Sequence, residues 1–247
     1  MVPGLGRSAH APPAGSADSQ GVDTSLWMSR DLLTAPPELP LAEAARRMAE
    51  RRVRHLLVVA DAAPRHLLGI LSSHDVYLAA EAGIHPHSPR AVDRPSRRVG
   101  EVMTQQPSTI PASTPLAEAA RILRDRKFGA LPVVDRGELV GILTEHDLLR
   151  AFLSLSGADQ PGYEVTAVVR NGADVLGTML GIAAQRGLQM TSANVFDHAG
   201  KRHALLHFVG ARDDAFVDAL WRCGHTILRV RPTDAQHGTA QPAGAGR

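Results

Sequence analysis

Cysteine is nearly missing from this sequence. Cys223 is the only one in 247 residues, so no disulfide can form within one chain, and a fold stapled by cross-links is excluded. A lone thiol suits a reducing compartment, and a cytoplasmic location is expected. Long apolar runs are missing too. No stretch approaches the ~20 apolar residues that a membrane helix requires, and the first twenty residues lack the basic start and apolar run of a secretion signal. No membrane partner is expected. Lysine is scarce: Lys127 and Lys201 are the only two among 27 basic residues. The arginines are spread along the chain and interleaved with 25 acidic residues, for a net charge of +2. Without a basic stripe, nucleic acid is not an expected partner. Also absent are a glycine-rich phosphate loop, a nucleophile elbow and an H-E-x-x-H pair, and no acid, base and nucleophile converge. An enzyme is not expected. His85-x-His87 has no nearby cysteine or carboxylate to complete a metal site, so no metal is expected either.

What is present is an ordinary globular balance of 44% hydrophobic and 21% charged residues, in a chain long enough for two or three domains. An internal repeat organises its middle. The seven residues from Pro40 to Arg46 recur unchanged from Pro115 to Arg121. At the same spacing Met28 meets Met103, Thr34 meets Thr109, and His55–Val59 meets Ala130–Val134. Further on, Gly69-Ile70-Leu71-Ser72-Ser73-His74-Asp75 meets Gly141-Ile142-Leu143-Thr144-Glu145-His146-Asp147. The spacing has shortened there because the first copy carries extra residues between its two strands.

Each copy reads alike. A short extended segment passes through Thr34 or Thr109. A helix follows, with Leu41, Ala44, Ala45 and Met48 on one stripe, matched by Leu116, Ala119, Ala120 and Leu123. Pro115 suits a first helical turn behind Thr114 as its cap. Two apolar strands come next, Leu56 to Val59 with Leu67 to Leu71, and Leu131 to Val134 with Leu139 to Leu143. A second helix starts at Ser72 or Thr144. The order is βαββα, twice.

This pattern resembles the CBS (cystathionine β-synthase) module in its tandem form, the Bateman module. The resemblance covers Trp27 to Leu155, and its most specific parts are Leu131-Pro132-Val133-Val134-Asp135 and Gly141-Ile142-Leu143-Thr144 with Asp147. A third unit follows. Tyr163 to Arg170 alternates like a strand, Val175 to Arg186 has helical spacing, Leu188 to Phe196 and His203 to Val209 flank a turn, Asp213 to Arg222 reads as a helix, and Thr226 to Val230 as a last strand. That βαββαβ order is ferredoxin-like and looks like an ACT domain. The three-domain order resembles the acetoin-utilisation accessory family of bacteria. The expected fold is therefore α/β (α+β): a disordered segment at 1–22, a first CBS module at 23–84, a joining loop at 85–98, a second module at 99–156, the ACT-like domain at 161–232 and a disordered tail at 233–247.

Chemistry concentrates at Ser72-x-x-Asp75 and Thr144-x-x-Asp147. Each is a capping box, in which a hydroxyl and a carboxylate satisfy free backbone N–H groups at a helix start. The same carboxylate can also accept both hydroxyls of a ribose, beside a helix N-terminus that favours phosphate. The family resemblance implies the second role: an adenosine-containing ligand of the AMP, ADP or ATP type, or S-adenosylmethionine or a dinucleotide. It also implies that Thr34, Thr109 and Ile110 border the base and that Arg54 or His55 meets phosphate. The second copy has Gly129 and Ala130 at those last two positions. In the third unit Asp174 stands where the ACT family places a ligand-binding glycine, and it would repel a carboxylate, which points to dimerisation or coupling. The sequence thus predicts a regulatory homodimer, without catalytic cofactor, that signals to an unidentified effector protein. A scaffolding dimer with empty clefts is the alternative.

Overall fold

A strand turns successive side chains to opposite faces, and Leu56 to Val59 is apolar at every position, so both faces need cover. The computed structural model describes residues 22–60, 66–81, 97–170 and 173–234. The expectations for residues 1–21, for the joining loop as far as residue 96 with His85 and His87, and for the tail from residue 235 lie outside these. The first repeat forms β1 (Thr34–Ala35), α1 (Leu41–Glu50), β2 (His55–Val59), β3 (Leu67–Ser72) and α2 (Ser73–Glu81). Leu56 and Val58 pack against Ala44 and Met48 of α1. Leu57 and Val59 face the other way and pack against Ala130, Leu139 and Ile142 of the second repeat. That repeat forms β4 (Thr104–Gln105), α3 (Leu116–Arg126), β5 (Ala130–Asp135), β6 (Glu138–Thr144) and α4 (Glu145–Ser156).

The repeats are equivalent but not self-contained. β1 runs parallel to β2, and β2 antiparallel to β3. The fourth strand of that sheet is β4, from the other repeat, with Thr104 opposite Ile70 and Gln105 opposite Gly69. The exchange is reciprocal. Ser29 bridges Ile142 of β6 through two backbone hydrogen bonds of 2.9 and 3.0 Å. The Leu41 N–H donates to the Arg97 carbonyl at 2.8 Å, and the Leu116 N–H to the Val22 carbonyl at 2.9 Å. Val99 is fully buried in the core of the first repeat. Each repeat's leading segment therefore completes the other's sheet. Strand order matches too: β1-β2-β3-β4 in one, and Ile110, β5, β6, Ser29 in the other.

The expected cap of α3 is corrected by this exchange. Pro115 itself occupies the cap position, with φ −56° and ψ 134° and no side-chain cap. Thr114 is buried, and its carbonyl accepts both the N–H and the hydroxyl of Thr24 from the other repeat.

The chain divides into two compact units, Met1–Leu143 and Thr144–Arg247. After α4 the second unit contains β7 (Gly162–Val168), α5 (Val175–Gln185), β8 (Gln189–His198), β9 (Lys201–Val209), α6 (Asp214–Arg222) and β10 (Thr226–Thr233). Its antiparallel sheet has the order β10-β7-β9-β8, which with βαββαβ connectivity is the ferredoxin-like arrangement. Val165, Leu206 and Phe208 of the sheet pack under Met179, Phe216 and Leu220 of α5 and α6. The Asp174 carboxylate accepts the Gly177 N–H at 2.9 Å and so caps α5 itself.

The end of α4 docks on this sheet through polar groups. Ser192 Oγ donates to the Ser156 carbonyl at 2.6 Å. His207, 2% exposed, holds Thr191 Oγ1 3.0 Å from its Nδ1 and Thr233 Oγ1 3.1 Å from its Nε2. Thr233 in turn donates to the Gln160 carbonyl at 3.0 Å.

Candidate nucleotide cleft

Ser72 ends β3 and Asp75 lies in the first turn of α2. A helix start leaves backbone N–H groups without helical partners, and these two side chains answer them. Asp75 Oδ2 accepts the Ser72 N–H at 2.8 Å and its hydroxyl at 2.7 Å, while Ser72 Oγ accepts the Asp75 N–H at 3.1 Å. The sequence motif is thus a closed capping box that still keeps one carboxylate oxygen in hand.

Asp75, Ser72 and His55 line one cleft of about 290 Å³. The rest of its named lining comes from the second repeat: Thr104 and Ser108 of the leading segment, then Lys127 and Gly129 at the end of α3. The exchange of leading segments is what brings Thr104 here, because β4 is hydrogen-bonded to β3. Gly129 matters by what it lacks. A Cβ there would lie 3.2 Å from His55 Nε2, so the missing side chain makes room for the imidazole. Lys127 caps α3 in the left-handed conformation, φ 55° and ψ 40°. Arg52, its equivalent, adopts φ 53°.

The other predicted residues are elsewhere. Arg54 is exposed, outside the cleft wall, and uses its carbonyl to accept the Ser73 N–H at 2.9 Å. Thr34 pairs with Leu57 in the β1–β2 ladder, half-buried and likewise outside the cleft wall. Thr109 lines a separate cavity of about 280 Å³ with His66, Gln106 and Val134. Ile110 is buried beside Val133. Thr144 and Asp147 form the capping box of α4, with the Thr144 N–H and hydroxyl 2.9 and 2.7 Å from Asp147 Oδ2. Sequence reasoning missed Lys127, Thr104 and Ser108. Lys127 had carried a signal: it is one of two lysines in an arginine-rich chain. Thr104 had none, since only the exchange places it here. Among the described residues no group of three or more histidine, cysteine, aspartate or glutamate side chains is arranged to hold a metal ion, and no helix is long and apolar enough to cross a membrane.

The CBS domain model matches residues 22–81 and 99–154. A CBS domain-containing protein of Dictyostelium discoideum is 32% identical over 125 residues, covering 49% of this chain and 85% of that protein. The chain belongs to the CBS-domain family. Inosine-5'-monophosphate dehydrogenase of Korarchaeum cryptofilum is 36% identical over 124 residues, but these are only 22% of that enzyme's length. Among solved CBS structures, CBSX2 of Arabidopsis thaliana in complex with AMP is 31% identical over 54% of this chain and 98% of its own, with a TM-score of 0.46. A CBS structure assigned to acetoin utilization (AcuB) in Vibrio cholerae is 28% identical over 56% of this chain and 96% of its own, with a TM-score of 0.49.

Proposed function

We propose that this chain is a regulatory sensor of an adenosine-containing nucleotide of the AMP, ADP or ATP type, bound in the cleft of Asp75. The observation that carries the reading is the pairing of opposite chemistries across one cleft: a carboxylate with an oxygen to spare on the first CBS copy, and Lys127 on the second, with His55 reaching over Gly129. The carboxylate suits a ribose diol; the Lys127 ammonium suits phosphate. A volume of about 290 Å³ is at the small end for ligand sites, which favours a mononucleotide over a dinucleotide. A ligand touching both copies favours one arrangement of them by its differential affinity. The domain boundaries at 23–84, 99–156 and 161–232 belong to this reading. So does the ACT-like unit, as a dimerisation or coupling module: the Asp174 carboxylate caps α5 where an amino-acid ligand's own carboxylate would have to sit. Homodimers acting on an effector protein complete the proposal.

Calorimetry with AMP, adenosine and S-adenosylmethionine tests it. AMP is expected to bind, and Asp75→Asn to weaken it by about 10- to 100-fold, the value of a charged hydrogen bond. Equal binding by Asp75→Asn reduces the aspartate to a cap. No binding of any compound leaves the scaffolding dimer with empty clefts, and tight binding of S-adenosylmethionine alone changes the ligand class.

A further inference from the structure

The two capping boxes are equivalent in sequence and in inner geometry, but not in what reaches their outer oxygen. Asp75 and Asp147 each give Oδ2 to the hydroxyl and N–H three residues before them. One helical turn further on, the repeat places Leu78 in α2 and Arg150 in α4. Residues three apart lie side by side on a helix. Leu78 has no polar group to offer, and Asp75 Oδ1 has no partner among the described residues. Arg150 reaches Asp147 Oδ1 at 3.0 Å. Asp147 is 3% exposed, whereas Asp75 is half-buried on the wall of its cleft. A ribose diol needs a carboxylate that can turn acceptor lone pairs toward it; at Asp147 the guanidinium stands in that place.

Resting on the sensor reading above, we infer that the chain binds one adenosine nucleotide, at Asp75, and that Arg150 withholds the Asp147 carboxylate from a second. Arg150 is the specificity-determining residue for stoichiometry. It acts as a built-in cation that satisfies Asp147 in the way a ligand's hydroxyls would. Its own side chain is 52% exposed but that of Asp147 is 4% exposed, so removing Arg150 costs stability through the stranded carboxylate, which thermal unfolding reads separately from binding.

The test is calorimetric titration of the full chain with AMP, with thermal unfolding of each variant as the check on folding. The parent is expected to take up one equivalent. Arg150→Leu, which copies the first repeat, is expected to take up two, and Arg150→Gln the same. Leu78→Arg, which copies the second repeat, is expected to weaken binding at least tenfold. Asp147→Asn in the parent is expected to leave the affinity within about twofold. Two equivalents in the parent, or one in both folded Arg150 variants, overturns the lock and leaves the sensor intact. No heat from any of them overturns the sensor reading itself.

Discussion

Met103 lies across Gly69 so closely that a Cβ on the glycine would fall 2.5 Å from the Met103 sulfur and 2.8 Å from the Thr104 carbonyl oxygen. Met28 covers Gly141 in the same way, with its sulfur 2.5 Å from the corresponding point. The two contacts differ in what can yield. At Gly141 all three nearest atoms belong to a flexible methionine side chain, while at Gly69 one is backbone of a paired strand. Overfilling a packed site costs about 1–3 kcal/mol. Gly69→Ala is expected near the top of that range and Gly141→Ala near the bottom, measured as the difference in thermal or urea unfolding.

Lys127 and His55 face the cleft with Asp75. Lys127→Ala is expected to weaken AMP roughly threefold to tenfold, between the value of an exposed ion pair and that of a charged hydrogen bond. Adenosine, with no phosphate, is expected to bind the variant as it binds the parent. The AMP effect should shrink at high salt, because an exposed charge is screened. Calorimetry at two ionic strengths reads both. Equal losses for AMP and adenosine would assign Lys127 to folding.

His207 is expected to make stability depend on pH. Burial lowers its pKa below the ordinary 6.5, against an opposing pull from the Glu164 carboxylate beside it on β7 and the Gln160 backbone. The unfolded chain therefore takes up this proton more readily than the native one. The contribution of His207 to stability is fully present above pH 6.5 and is lost as the pH drops below it toward the lower native pKa. A thermal midpoint measured from pH 7.5 to 5 should decline, and His207→Gln should flatten that decline.

Leu149, Phe152 and Leu153 form an apolar face on α4 that is 61%, 64% and 41% exposed. This face is where the proposed homodimer would bury apolar surface. The parent is expected to show a two-chain mass in light scattering at micromolar concentration, and Phe152→Asp a single-chain mass. A single-chain mass in the parent would remove the homodimer from the proposal.

The elements were legible because their signals are local. Apolar runs such as Leu131–Val134, the stripe of Ala44 and Met48, and the Ser72 and Thr144 caps all act within one or two turns of chain, and they fall in β5, α1 and the starts of α2 and α4. The βαββαβ order of the last unit was readable for the same reason. The seven-residue identity at Pro40 and Pro115 revealed that the copies are equivalent. It could not reveal whose sheet each leading segment joins, since equivalence fixes position within a copy but not partner. Thr114 therefore looks like a cap in the sequence, whereas its carbonyl meets Thr24 of the other repeat. Thr104 reaches the cleft beside Asp75 through the exchange, and Lys127 lines it from the end of α3. Neighbouring residues of a strand point to opposite sides, and of Arg54 and His55 only His55 lines the cleft.

The reciprocal leading segments also bear on how the chain comes to be folded. Thr24 finds its hydrogen-bond partner at Thr114, 90 residues later, and Val22 finds Leu116. During synthesis, which proceeds at about 5–20 residues per second, the first repeat is complete in sequence long before its own fourth strand exists. Closure waits for Val99 and Thr104, and the second repeat then needs the segment from Val22 to Ser29, made before the first repeat. Contacts of such separation make folding slow. They also make the pair indivisible: a copy excised alone would keep an open sheet edge, while two separately made halves would be able to find each other and complete both sheets at once.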